Sequence, residues 1–93
     1  MVTAFVLVRA HRRAVNETAE ALSLVKGVAE VHSVAGDHDL VAVIRLKTHE
    51  ELADVVTNRM LKLEGIEGTT TLVAFKTISK FDLDGMFETA AIE

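Results

Sequence analysis

The stretch Leu40-Val41-Ala42-Val43-Ile44-Arg45-Leu46 constrains this chain most, because it reads as a strand that is apolar on both faces. Alternate positions put Leu40, Ala42, Ile44 and Leu46 on one side and Val41, Val43 and then Arg45 on the other. A half-exposed strand alternates apolar with polar residues, so this one needs cover on both sides. Its 93 residues suffice for one domain with a single layer of helices over one side of a sheet. The second apolar side is therefore expected to meet another copy of the chain. Leaving about five large aliphatic side chains in water would forfeit about 1.5–3 kcal/mol each, comparable with the roughly 5–15 kcal/mol that holds a whole domain folded.

Ahead of this strand, Val2 to Arg9 is rich in β-branched and aromatic residues and predicts strand one, nearly continuous in apolar character as a central strand would be. The basic cluster His11-Arg12-Arg13 follows, and then a helix from about Arg13 to Val25, with Val15, Ala19, Leu22 and Val25 on one face and Gly27 as a left-handed stop. Strand two is expected over Val28 to Ala35, with Ala29, Val31, Ser33 and Ala35 opposing Glu30, His32 and Val34, a polar content that suits a sheet edge. The polar turn Gly36-Asp37-His38-Asp39 leads into strand three, Asp39 to Lys47. Gly36 permits positive φ, and its neighbours form the densest cluster of polar functional groups in the chain. Thr48 opens a second helix, and Glu51 completes a capping box three positions later. On that helix Leu52, Val55, Val56, Arg59 and Leu63 follow helical spacing, Arg59 laying its stem over apolar surface, until Gly65 ends it. Strand four is expected from Gly68 to Ile78, led by three threonines. The remaining 79–93 opens with a helix cap at Ser79 and carries Phe81, Leu83, Met86 and Phe87, too apolar a set to stay in solvent. The order β-α-β-β-α-β predicts an α+β, ferredoxin-like fold: a four-stranded antiparallel sheet with both helices on one side and the other side bare.

Composition narrows the function. With no cysteine, the chain has no disulfide, thiolate metal site or cysteine nucleophile, which suits a reducing cytoplasm. A formal charge of −4 offers no basic surface for a phosphate backbone, so direct nucleic-acid binding is not expected. No apolar run is long enough to span a membrane, and the start Met1-Val2-Thr3-Ala4-Phe5 lacks the basic region of a signal peptide. These features predict a soluble, cytoplasmic protein.

From Val28 through Leu40, and again over Leu63-Glu64-Gly65-Ile66-Glu67-Gly68-Thr69-Thr70-Thr71, the chain resembles the effector-binding domain of the Lrp/AsnC transcriptional regulators. That family runs as a short apolar strand, a Gly-x-x-Asp turn, an apolar strand, a helix, a Gly-Val/Ile turn and a Thr-x-Thr strand. Gly36, Asp39, Gly65, Ile66, Thr69 and Thr71 match in order, and the similarity covers Val2 to Thr77. The resemblance implies subunits paired sheet to sheet in a dimeric barrel-like unit, and dimers gathered into an octamer or decamer. It further implies a small effector, usually an amino acid, held between adjacent dimers, and a role in transcription regulation without catalysis or cofactor. Family regulators carry an N-terminal helix-turn-helix, whereas strand one here starts at the second residue. The sequence thus resembles a stand-alone version, one domain over 1–93 with its core at about 2–78, able to join a full-length Lrp/AsnC regulator.

A free amino acid presents a carboxylate beside an ammonium, so its site needs donors next to acceptors. The family pattern assigns this work to Gly36, Asp37, His38 and Asp39, with hydroxyls of Thr69 and Thr71 added from a neighbouring chain. His38 stands where the family often has a larger side chain before its aspartate, an imidazole suited to an acidic or amide ligand or to pH sensitivity.

Other readings of the same residues stay open. An Asp-His-Asp turn is also a hairpin whose side chains cap their own backbone, and a threonine run is also plain β-propensity. His32 and His38 with Asp37 or Asp39 supply donors for a divalent metal, without the tight His-x-His or His-x3-His spacing that would favour one. His11-Arg12-Arg13 is either a solvated patch or an anion grip at a helix start. A function from another class is a small enzyme of the dimeric α+β barrel type, with His32, His11 and Asp39 as its only candidates. Tyrosine and tryptophan are absent, and no nucleophile is spaced against a base. A purely structural ring-forming subunit is the third.

Overall fold

Strand formation follows the apolar runs closely, and hydrogen bonding joins them in the order β2-β3-β1-β4, every neighbour antiparallel. The structure, a computed structural model, describes residues 1–78. Its strands are β1 (Val2–Ala10), β2 (Val28–Ser33), β3 (Leu40–Leu46) and β4 (Ile66–Val73). The two most apolar strands, β1 and β3, occupy the centre, and β2 lies at an edge as its polar content predicts. This is the ferredoxin-like βαββαβ arrangement.

Alternation divides each strand between two environments. Ala4, Val6, Val8 and Ala10 of β1 and Leu40, Ala42, Ile44 and Leu46 of β3 are all buried on the side covered by helices. Leu22 of α1 (Val15–Ser23) and Leu52 of α2 (His49–Asp54) pack onto them. The opposite side carries Thr3, Phe5, Leu7 and Arg9 of β1, cross-strand from Arg45, Val43 and Val41 of β3 and from Leu72, Thr70 and Gly68 of β4. Phe5 and Leu72 remain 39% and 50% exposed there. Val43, flanked by Phe5 and Glu30, is already buried within the subunit, so the water-facing apolar surface comes from its neighbours.

Several boundaries differ from the sequence expectation, each for a local reason. The first helix begins later, because His11 closes a tight turn at Arg12–Ala14: its carbonyl accepts from Ala14 N and its Nδ1 from Arg13 N. Gly27, at φ 96°, stops that segment as expected. A bulge at Ala29 puts Val28 and Val31 against the core and leaves Ala29 exposed, in place of the expected Ala29–Val31 face. β2 ends at Ser33, since Val34 N already bonds Asp39 O across the turn. β4 stops at Val73 because its partner β1 runs out, the last bond being Ala74 N to Thr3 O. A second bulge opposite Arg9 and Ala10 lets Ile66 pair with Ala10 and Gly68 with Arg9, leaving Glu67 as the extra residue. The helix cap expected at Ser79 and the apolar tail lie outside the described residues.

The largest correction falls on the second helix. Thr48 and Glu51 form the expected capping box, with Glu51 N donating to Thr48 Oγ1 and Thr48 N to Glu51 Oε1. Beyond Asp54 the helix widens into a π-turn over Val55–Met60, closed by Leu61 N to Val56 O. The buried positions then fall five apart in the chain, so Met60 is fully buried below Val55. Arg59, expected over the apolar face, turns outward to Asp54 at 3.5 Å. Gly65 follows at a close approach, since a Cβ there would collide with Thr18 Oγ1 on α1.

Candidate functional site

The Gly36–Asp39 turn is anchored to the end of β1 by its last residue. β1 runs two residues past its last pairing with β3, Val8 with Leu40, so Ala10 N has no strand partner on that side. Asp39 Oδ2 accepts from it at 2.8 Å, while Asp39 N donates to Val8 O at 2.9 Å. Both bonds hold the turn against the sheet end, and Oδ1 keeps free acceptor capacity among the described residues. Gly36 has φ 128°, and no atom lies within 4 Å of a Cβ built there, so backbone conformation alone calls for glycine.

Around this anchor the fold opens a surface recess of about 430 Å³. Arg9, His11 and Arg12 enter from β1 and the turn after it, Asp37 and Asp39 from the turn, and Glu67 from the bulge of β4. Two arginines and a histidine therefore share one opening with three acidic residues, with Ala10 and Val15 as apolar lining. Carboxylates and guanidiniums together can satisfy a ligand bearing both signs of charge.

The residues read from the sequence separate into two groups. Asp37 and Asp39 line the recess, joined by His11 and Arg12 from the basic cluster. Gly36 is exposed at the turn and His38 is half-buried beside it, neither lining the recess. Thr69 and Thr71 pair with Val8 and Val6 on the far side of β1. Thr69 is thus level with Asp39 along the strands but two strand spacings away, about 10 Å. Arg9 and Glu67 are additions. Arg9 is the polar residue that closes a nearly continuous apolar run, and Glu67 comes into reach through a bulge that no local pattern announces.

His32 lies on the open face of the sheet and pairs with Glu30 at 2.8 Å, away from His11 and Asp39. Of the three candidates for an enzymatic centre, His11 and Asp39 line the same recess and His32 lies apart from them. Among the described residues no group of three or more His, Cys, Asp or Glu side chains is placed to hold a metal. No helix among them is long and apolar enough to cross a membrane.

Comparison with known proteins follows the same lines. Residues 3–83 match the model of the Lrp/AsnC ligand binding domain. An HTH-type transcriptional regulator of Pyrococcus horikoshii, itself uncharacterised, is 35% identical over 81 residues, which cover 84% of this chain and 54% of the relative. The chain thus spans about half the length of the curated relatives it matches. Among solved structures, TTHA0845 from Thermus thermophilus superposes with a TM-score of 0.81 at 51% identity, covering 86% of this chain and all of that one. The transcriptional regulator NMB0573 of Neisseria meningitidis, solved as its L-Met complex, gives a TM-score of 0.76 at 16% identity over 84% of this chain and 52% of that one, a likeness of fold.

Proposed function

Because the chain belongs to the Lrp/AsnC ligand binding domain family, we propose that it is a non-enzymatic module that binds a zwitterionic amino acid in the recess beside the Gly36–Asp39 turn. The observation that carries this reading is the meeting of Arg9 and Arg12 with Asp37, Asp39 and Glu67 around one opening. A guanidinium donates to the ligand carboxylate, and Asp37 and Glu67 accept from its ammonium. Asp39, with one oxygen committed to Ala10 N, chiefly holds the turn in place. The opening of about 430 Å³ falls at the small end of the roughly 300–1,000 Å³ usual for small-molecule sites. His38, the exposed amide of Gly36, and hydroxyls of Thr69 and Thr71 on a neighbouring subunit complete the contacts. L-Met in the NMB0573 complex supports this ligand class.

The working unit in this reading is an oligomer. The open face presents Phe5, Leu7, Val41 and Leu72 as a continuous apolar patch, and a second sheet packs on such a face at about 10 Å. Dimers so formed associate further into an octamer or decamer, or join a full-length Lrp/AsnC regulator, and ligand occupancy passes through these contacts to transcription.

Calorimetric titration with each of the common amino acids tests the binding. At least one should bind in the micromolar to millimolar range, and Asp37→Asn and Arg12→Ala should each weaken it tenfold or more. Absence of heat from every amino acid, with the protein folded, would refute the proposal.

A further inference from the structure

The recess beside the Gly36–Asp39 turn carries more negative than positive charge. Arg9 and Arg12 share it with Asp37, Asp39 and Glu67, and with His11 counted neutral, as in the formal charge of the chain, one negative charge is in excess. Arg13 and His38, the next basic residues along the chain, do not line it. These charges do not cancel in pairs either. Among the described residues the salt bridges are His32 with Glu30 and Arg59 with Asp54, and of the three carboxylates in the recess only that of Asp39 accepts a hydrogen bond, from Ala10 N.

The three acids stand on two flanks of β1. Asp39 N bonds Val8 O, so the turn enters from the β3 side, whereas Ile66 pairs with Ala10 and Gly68 with Arg9, which puts Glu67 on the β4 side. Two strand spacings, about 10 Å, separate these flanks at the backbone. Spread in this way, the three do not form a group placed to hold a metal ion. An amino acid with a neutral side chain has its only cation on the α-carbon, so it meets acceptors on one flank and leaves the other without a partner.

We propose that the ligand is a basic amino acid, with a second cation at the end of its side chain, an inference that rests on the amino-acid reading above and narrows it. Asp37 accepts from the α-ammonium, Arg12 donates to the α-carboxylate, and Glu67 accepts from the side-chain cation across the end of β1. In extended lysine the two nitrogens stand about 7 Å apart. With a charge-assisted hydrogen bond of about 2.8 Å at each end, the reach is up to about 12 Å, enough to bridge the two flanks. The net positive charge of such a ligand also offsets the excess negative charge, which a neutral zwitterion leaves in place.

Calorimetric titration of the full chain with L-lysine and with L-norleucine, which has the same carbon skeleton and lacks only the ε-amine, tests the assignment. L-Lysine should bind about tenfold more tightly or better, and Glu67→Gln should bring the two within about threefold of each other. Cadaverine, which keeps both amines and lacks the carboxylate, should bind about tenfold more weakly than L-lysine or worse. The proposal is overturned if L-norleucine matches L-lysine, if the preference for L-lysine survives Glu67→Gln, or if cadaverine binds as tightly as L-lysine. Should a neutral or acidic amino acid bind and L-lysine not, the basic ligand is ruled out and the amino-acid site stands. Should none of the common amino acids bind, both fall.

Discussion

Leu72→Ala tests the open sheet face at the position where the gain from assembly is simplest to work out. Leu72 lies across from Phe5 and keeps 50% of its surface in water within one subunit. Full burial of a leucine side chain stabilises by about 1.5–3 kcal/mol, so the half still exposed is worth about 0.8–1.5 kcal/mol when a second sheet covers it. A two-fold dimer buries the residue twice, giving about 1.5–3 kcal/mol, or roughly ten- to one-hundred-fold in the dimer dissociation constant. Sedimentation equilibrium over a range of concentrations measures that constant directly. Urea denaturation at subunit-splitting dilution should show little change, because the side chain contributes to the interface more than to the helix-side core. Two results would refute the reasoning: a wild-type protein that stays a single subunit at high concentration, or a Leu72→Ala dissociation constant equal to the wild-type value.

Asp39→Ala should cost about 1–3 kcal/mol in urea unfolding by orphaning the Ala10 amide, and Asp39→Asn, which keeps an acceptor, clearly less. Gly65→Ala should destabilise by about 1–3 kcal/mol through the collision with Thr18, and a Thr18→Ala background should recover part of the loss in thermal melts. Asp54 is held below the ordinary carboxylate range, first by the Asn58 side chain at 2.7 Å and then by Arg59. A depressed folded value stabilises above the ordinary 3.8 and loses that contribution as pH falls through the lower one. Asn58→Ala should therefore raise the Asp54 midpoint in an NMR titration, and the stability gap between variant and wild type should close toward low pH.

What the sequence disclosed and what it hid divide along the range of the interactions. The two-faced run at β3, the Thr48–Glu51 cap and the stop at Gly27 are written in neighbouring residues, and each is where the pattern places it. Regular helical spacing misassigns Arg59 and passes over Met60, because the wide turn adds a residue to one helical turn without a local mark such as proline or glycine. Of the candidate site, the turn is legible from Gly36 and its polar neighbours. The opposing charges are not, since Arg9 and Glu67 meet Asp37 only after β1, β3 and β4 align and a bulge swings Glu67 to the sheet end.

That single unpaired residue also sets the phase of everything after it. Ile66 points toward the helices, and strict alternation from there would send Gly68, Thr70 and Leu72 the same way. Leaving Glu67 unpaired skips one step of that alternation, so Leu72 emerges on the outer face beside Phe5 while Thr69, Thr71 and Val73 take the inner one. Were Glu67 drawn into the regular ladder, the strand would turn inside out and exchange a greasy outer surface for a hydroxylated one, whereas deleting it would keep both faces and take only its carboxylate from the charged mouth.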